Sequence, residues 1–151
     1  MLQALWFFLV NSRLIKLFLS RTVSVSFSSL ALSDKLLSVL TEKGYQQPTA
    51  IQAEAIPAIL SGQDLMASAQ TGTGKTAAFT LPLLQLLLDK PVNDATSKRA
   101  SVLVLTPTRE LAVQVNSNVS QYAVNTGISS LVIYGGVSID AQAAKLASGV
   151  D

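Results

Sequence analysis

The 151 residues include no cysteine and no histidine. The first absence excludes disulfides and thiolate metal sites. The second removes a histidine-based triad and the usual zinc sites. With neither residue, any catalysis rests on phosphate chemistry, carboxylates, Lys or Arg, and charged residues are sparse, at 13%. No Asp-Glu pair occurs anywhere in the sequence. Basic character is also missing where it would matter. The pI near 9.0 suggests a nucleic-acid binder. However, Arg13, Lys16 and Arg21 face no acid up to residue 33, and the remainder has eight basic against nine acidic residues. Net charge therefore carries no argument for RNA or DNA. A long apolar run is absent too. Residues 2–10 and 14–19 are apolar, but Arg13 and Lys16 interrupt them before membrane-spanning length. The leader's charge follows its first apolar run rather than preceding it, unlike a secretory signal. An organelle transit peptide, an interfacial helix, and translation from upstream of the true start remain the open readings of this leader.

What is present centres on Ala69-Gln70-Thr71-Gly72-Thr73-Gly74-Lys75-Thr76. A short strand over 64–68 precedes it and a helix to about Leu88 follows. Strand, glycine-rich loop, Lys-Thr and helix form a phosphate cradle. Gly72 and Gly74 allow backbone conformations in which successive N–H groups converge on an anion. The helix start adds unpaired N–H donors and the positive end of its dipole. Lys75 supplies charge for the outer phosphates, and the Thr76 hydroxyl suits Mg²⁺, which prefers oxygen. The strict pattern begins with Gly, and this chain has Ala69 there.

Around this loop the chain reads as alternating helices and strands. Ser33 caps a helix to Lys43 that Gly44 stops. Thr49 caps a second, with Ile51, Ala55, Ile56 and Ile59 inward, Pro57 bending it, and Gly62 at its end. Pro82 is a second expected kink. Residues 89–100 read as a polar surface loop. The apolar run 101–105 predicts a strand buried on both faces. Thr108 caps a helix over 109–126 closed by Gly127. Residues 129–134 predict another strand, and Ser138 caps a helix running to Gly149. Such alternation predicts an α/β fold with a parallel sheet and right-handed crossovers, its functional loops at the carboxyl ends of the strands.

Further motifs stand in order with the loop. Gly44-Tyr45-Gln46-Gln47-Pro48-Thr49-Ala50-Ile51-Gln52 resembles the Q motif of DEAD-box RNA helicases, and Phe27 precedes its glycine by 17 positions, where that family places an aromatic residue. Residues 69–76 resemble the family's motif I, Pro107-Thr108-Arg109-Glu110-Leu111 its motif Ia, and Gly135-Gly136 its double-glycine motif. The wording is most similar to bacterial RhlE-type members. The resemblance implies a partial RecA-like P-loop NTPase domain, truncated before the family's Asp-Glu-Ala-Asp motif. It divides the chain into a leader (1–24), a Q-motif region (25–53) and a partial ATP-binding domain (54–151).

The resemblance also implies the ligands. ATP would be held by Phe27, Tyr45, Gln47, Gln52 and residues Ala69, Gln70, Thr71, Gly72, Thr73, Gly74, Lys75 and Thr76, with Lys75 and Thr76 serving catalysis and Thr76 ligating Mg²⁺. The Gln52 amide has a donor and an acceptor for two edge atoms of adenine, and Phe27 would stack on its face. Pro107, Thr108, Arg109, Gly135 and Gly136 would meet RNA through its backbone, with little sequence preference. Gly135-Gly136 is open to two readings, a close approach of nucleic acid or simply a tight turn. Hydrolysis needs an acidic pair and arginine fingers. In the family, these lie farther along the chain and in a second RecA-like domain. The fragment is therefore expected to lack turnover and to expose sheet edges where a strand is missing. Ribosome-assembly or RNA-decay proteins as partners, and a cytoplasmic location, complete the expectation. Two other readings are another P-loop NTPase or small-molecule kinase, which assigns no role to Gln52, and a non-catalytic nucleotide- or RNA-binding adaptor.

Overall fold

A computed structural model of the chain describes residues 25–90 and 100–151. The leader expected over 1–24 and residues 91–99 of the expected surface loop lie outside them. Among the described residues, a 3₁₀ turn, Phe27–Ser29, is followed by five helices: α1 (Asp34–Glu42), α2 (Ala50–Leu60), α3 (Lys75–Leu88), α4 (Arg109–Tyr122) and α5 (Ile139–Ala147). Each falls where the apolar spacing places it. The helix expected over 109–126 ends four residues early, because Ala123 already closes α4 on the Val119 carbonyl.

Helix α3 is the centre of the packing. Its sequence is apolar nearly all round, as a helix surrounded by others must be, and nine of its residues from Lys75 to Gln85 are buried. Leu81 and Leu84 join Phe27, Leu36, Leu40, Ile56 and Tyr122 in one core cluster. On another side, Ala78 and Phe79 join Ile51, Ala55, Ile59, Leu65 and Val115 in a second. The four inward residues expected of α2 are all buried. Pro57 and Pro82 lie within continuous helices.

Helix starts are stabilised in different ways. The Thr108 and Ser138 hydroxyls accept from the N–H groups of Leu111 and Ala141, as expected of caps. Ser33 precedes α1 but its side chain makes no cap bond. Instead its backbone N–H donates to Gln85 Oε1 at 2.7 Å, and Gln85 Nε2 donates to Asp89 Oδ1 at 2.8 Å. The buried Gln85 thereby ties α3 to the start of α1.

The expected sheet is not confirmed. Residues 64–68, 101–105 and 129–134 are non-helical, but no continuous ladder joins them among the described residues. Leu103 and Leu105 are about four-fifths exposed (81% and 82%), whereas a strand covered on both faces was expected. Among the described residues, Leu65 forms an isolated bridge, and the backbone hydrogen bonds near 101–105 and 129–134 run through Asp151. The N–H groups of Ser101 and Val102 donate to the Asp151 carbonyl at 2.6 and 3.0 Å, and the Asp151 N–H donates to the Ser129 carbonyl at 3.1 Å. Farther along, the segments leave an apolar cleft of about 520 Å³ against Phe79 and Leu83 of α3, lined also by Val102, Val104 and Ile133.

An aromatic chain closes the other side of the core. Phe27 packs edge-on to Tyr45, with ring centroids 6.1 Å apart, and Tyr45 packs edge-on to Tyr122 at 6.3 Å. The two hydroxyls are hydrogen-bonded at 2.8 Å. Burial, reinforced by the Tyr45 hydroxyl, pushes the Tyr122 phenol above its ordinary value of 10.0. Above about pH 10 the unfolded Tyr122 loses its proton while the folded one keeps it, so stability falls as pH rises past that point. The Tyr122→Phe variant should show a shallower loss between about pH 8 and pH 11 in urea unfolding. An unchanged slope would mean that this phenol is not the group responsible.

Candidate functional site

The motif-I loop takes its shape from two left-handed glycines. Gly72 has φ +83° and Gly74 φ +85°, a region that a side chain disfavours by about 1–2 kcal/mol. Gly74 immediately precedes α3, whose first intrahelical bond runs from the Ala78 N–H to the Gly74 carbonyl. The N–H groups of the preceding turn have no intrahelical acceptor, as the expected anion cradle requires. Lys75 is folded back. Its Nζ donates to the Ala69 carbonyl and, at 2.6 Å, to the Gln70 carbonyl, and it is only 9% exposed. Thr73 Oγ1 donates to the same Gln70 carbonyl at 2.7 Å. The lysine thus spans its own loop. Thr76 is half-buried beside it, while Gln70, Thr71 and Gly72 are exposed.

The Q motif meets this loop directly. Gln52 is 1% exposed. Its Oε1 accepts from the Thr49 N–H at 2.9 Å, one arm of a capping box at the start of α2, and its Nε2 donates to the Gly74 carbonyl at 3.2 Å. Thr49 Oγ1 donates to the Thr73 carbonyl at 2.8 Å. A Cβ at Gly74 would lie 2.3 Å from Gln52 Nε2. Glycine is therefore required there twice, by φ and by the amide pressed against it. An amide offers two N–H donors and two acceptor lone pairs. The two bonds made here leave one of each.

The remaining expected nucleotide residues are placed less closely. Phe27 is 5% exposed, within the core and edge-on to Tyr45. Gln47 is exposed in the turn before α2.

A second constellation joins motif Ia to the double glycine. Thr108 caps α4, so Arg109 is its first residue. The Arg109 guanidinium lies 5.8 Å from the centroid of the Tyr134 ring. It also fills the space beside Gly136, where a Cβ would be 2.4 Å from Nη2. Gly136 has φ +81°, whereas Gly135 has open space where a side chain would be. Pro107 is exposed ahead of the cap. Five expected RNA residues thus gather where two loops meet. Thr49 was read only as a cap, and Tyr134 only as part of a strand. The threonine three residues before Gln52 is the capping-box signature, but nothing local marks its bond to the Thr73 carbonyl. Nothing in the local pattern marks Tyr134.

Residues 49–151 match the DEAD/DEAH box helicase family. The chain belongs to that family. It is 50% identical over 113 residues to the ATP-dependent RNA helicase SrmB of Escherichia coli, an alignment covering 75% of this chain and 25% of SrmB. It is 43% identical over 132 residues to the RNA helicase CrhR of Synechocystis, covering 87% of this chain and 25% of CrhR. Among solved structures it is similar to the RNA helicase Prp28 from Chaetomium thermophilum bound to ADP, with a TM-score of 0.71 and 39% identity, over 82% of this chain and 30% of that one. A DEAD box protein from Methanococcus jannaschii gives 0.67 and 34%, over 83% of this chain and 33% of that one. The helices and connections are therefore those of a DEAD-box helicase RecA-like domain. The chain spans about a quarter of the length of SrmB and CrhR.

The contact at Gly74 separates two otherwise similar substitutions. Gly72→Ala and Gly74→Ala both put alanine at positive φ, but only the second collides with Gln52. In chemical unfolding, Gly72→Ala should cost about 1 kcal/mol. Gly74→Ala should cost roughly 2–4 kcal/mol, because it also disrupts a buried hydrogen bond. Equal losses would show that the amide does not press on Gly74.

Proposed function

We propose that this chain is the ATP- and RNA-contacting amino-terminal part of an ATP-dependent DEAD-box RNA helicase of RhlE-like type, whose intact form unwinds short RNA duplexes. The observation that carries this is the hydrogen bond from Gln52 to the Gly74 carbonyl. A generic phosphate loop has no need of that glutamine. Here one amide touches both the start of α2 and the phosphate loop, and its spare donor and acceptor match an adenine edge. Phe27, Tyr45 and Gln47 are assigned to the adenine side on the strength of their spacing alone, since Phe27 is packed in the core against Tyr45. Lys75 leaves the carbonyls of Ala69 and Gln70 for the outer phosphates, the backbone from Ala69 to Gly74 cradles them, and Thr76 provides an oxygen for Mg²⁺. The chemistry of this donor set fits a nucleoside triphosphate with its metal.

Arg109, with Pro107, Thr108 and the Gly135-Gly136 turn, contacts RNA backbone and so imposes little sequence preference. Residues 25–53 act as the Q-motif region and 54–151 as part of the ATP-binding domain, with a parallel sheet whose further strand lies beside the strand that leads into the phosphate loop. The sequence has no Asp-Glu pair to position Mg²⁺ and water. We therefore assign hydrolysis to the intact protein, with its second RecA-like domain, and none to these residues alone. Among the described residues no helix is long and apolar enough to cross a membrane. A cytoplasmic location, with ribosome-assembly or RNA-decay partners, is in keeping with this reading.

Fluorescent ATP and GTP titrated into the chain test the nucleotide half. ATP should bind at least about tenfold tighter than GTP, because a mismatched purine leaves the Gln52 amide unsatisfied. Gln52→Ala should erase that preference. Lys75→Ala should weaken both nucleotides by roughly 10- to 100-fold through loss of charge-assisted bonds. Equal affinity for the two nucleotides in the unaltered chain would favour another P-loop NTPase or an adaptor.

A further inference from the structure

We propose that Tyr134 and Gln142 are positioning residues that hold the Arg109 guanidinium beside the Gly135-Gly136 turn, preset for an RNA phosphate. The inference rests on the RNA reading given above and adds two residues to it.

Four features combine. Arg109 opens α4, so its backbone is fixed by the Thr108 cap. An exposed arginine at that position samples many rotamers unless something seats it, and ordering such a side chain costs conformational entropy. The Tyr134 ring provides the seat, 5.8 Å from the guanidinium carbon and within range of a cation–π attraction. Gly136 provides the space, since a Cβ there would stand 2.4 Å from Nη2 and 3.2 Å from Cζ.

Gln142 then fixes the seat. The Tyr134 N–H donates to Gln142 Oε1 at 2.9 Å, and Gln142 Nε2 donates back to the Tyr134 carbonyl at 3.2 Å. One side-chain amide thus satisfies both backbone groups of Tyr134, as a neighbouring strand would. The same Nε2 also reaches the Ser138 carbonyl at 3.4 Å. Ser138 caps α5, and Gln142 lies four residues further on, so the clamp spans both ends of the segment from Tyr134 to Ser138. Gly135 and Gly136 lie inside it. The clamp compensates for the missing ladder at this segment and sets the height of the ring beneath Arg109. A guanidinium seated on a ring face keeps its N–H groups at its planar edge, where a phosphate can take two of them. Pre-ordering the side chain removes part of the entropy lost on binding.

The test uses the 151-residue chain, a fluorescent oligouridylate RNA as probe, and affinity measured by anisotropy at several salt concentrations. The Arg109 Nε–H resonance is followed by NMR in the free protein. Arg109→Ala should weaken RNA binding by about tenfold. Tyr134→Leu and Gln142→Met, which keep bulk and remove the ring or the amide, should each weaken it by about threefold. They should also lower the salt slope by up to about one unit and shift the Arg109 resonance away from its ring-shielded position. Tyr134→Phe retains the ring and should bind as the unaltered chain does. If Arg109→Ala binds RNA normally, the RNA reading of this site fails and the proposal falls with it. If Arg109→Ala weakens binding while Tyr134→Leu and Gln142→Met match the unaltered chain in affinity, slope and resonance, the positioning role alone is overturned. A loss for Tyr134→Phe equal to that for Tyr134→Leu also overturns it, because the hydroxyl rather than the ring face would then be responsible.

Discussion

A single side-chain amide joins the two halves of the proposed nucleotide site. Gln52 is buried at the start of α2, accepts a hydrogen bond from Thr49 and donates one to the Gly74 carbonyl. A buried amide left unpaired costs about 1–3 kcal/mol, so α2 and the phosphate loop are constrained to meet in one register. Much else follows from that constraint. Gly74 must lack a side chain, α3 must begin at Lys75, and Thr49 is brought close enough to bond the Thr73 carbonyl. Because α3 is the helix around which both core clusters pack, the same contact couples the loop's conformation to the hydrophobic interior.

Lys75 shows how the loop stays closed on itself. An ammonium group needs acceptors when it is largely buried, and the carbonyls of Ala69 and Gln70 supply them. A phosphate that recruits Lys75 must offer more than those two carbonyls, and a multiply charged anion does. Arg109 follows a similar logic with different partners. It is exposed rather than buried, and it is held by an aromatic face and a glycine-made space rather than by carbonyls. Both cations are ordered by the protein itself before a ligand is considered.

The sequence made some of this legible. Helical spacing, caps and stop glycines located all five helices, because each signal is local. Gly44 and Gly62 carry the positive φ expected of helix stops, and Thr108 and Ser138 cap as their side chains predict. The strands were less legible. An apolar run such as 101–105 shows what would be buried if neighbours lay on both sides, but it cannot supply them, and Leu103 and Leu105 are exposed. Ser33 stands at the expected N-cap position, but its hydroxyl makes no cap bond, and the Gln85 amide that takes its backbone N–H is 52 residues away in sequence. Gln142 carried no signal at all, since its role depends on where Tyr134 lies in space. Motif spacing brought Gln52 and the phosphate loop onto one page, but their direct contact needed coordinates.

The most direct measurement of this coupling is a two-dimensional NMR titration of the chain that follows the Gln52 side-chain amide and the Gly74 backbone amide together. With ATP, the two resonances should move in step and saturate at the same concentration, because one bonded unit receives the nucleotide. With inorganic triphosphate, Gly74 should respond in full and Gln52 only slightly. A Gln52 amide that stays fixed while Gly74 saturates with ATP would contradict the account, since the glutamine would then be a brace for the loop and no reader of the base.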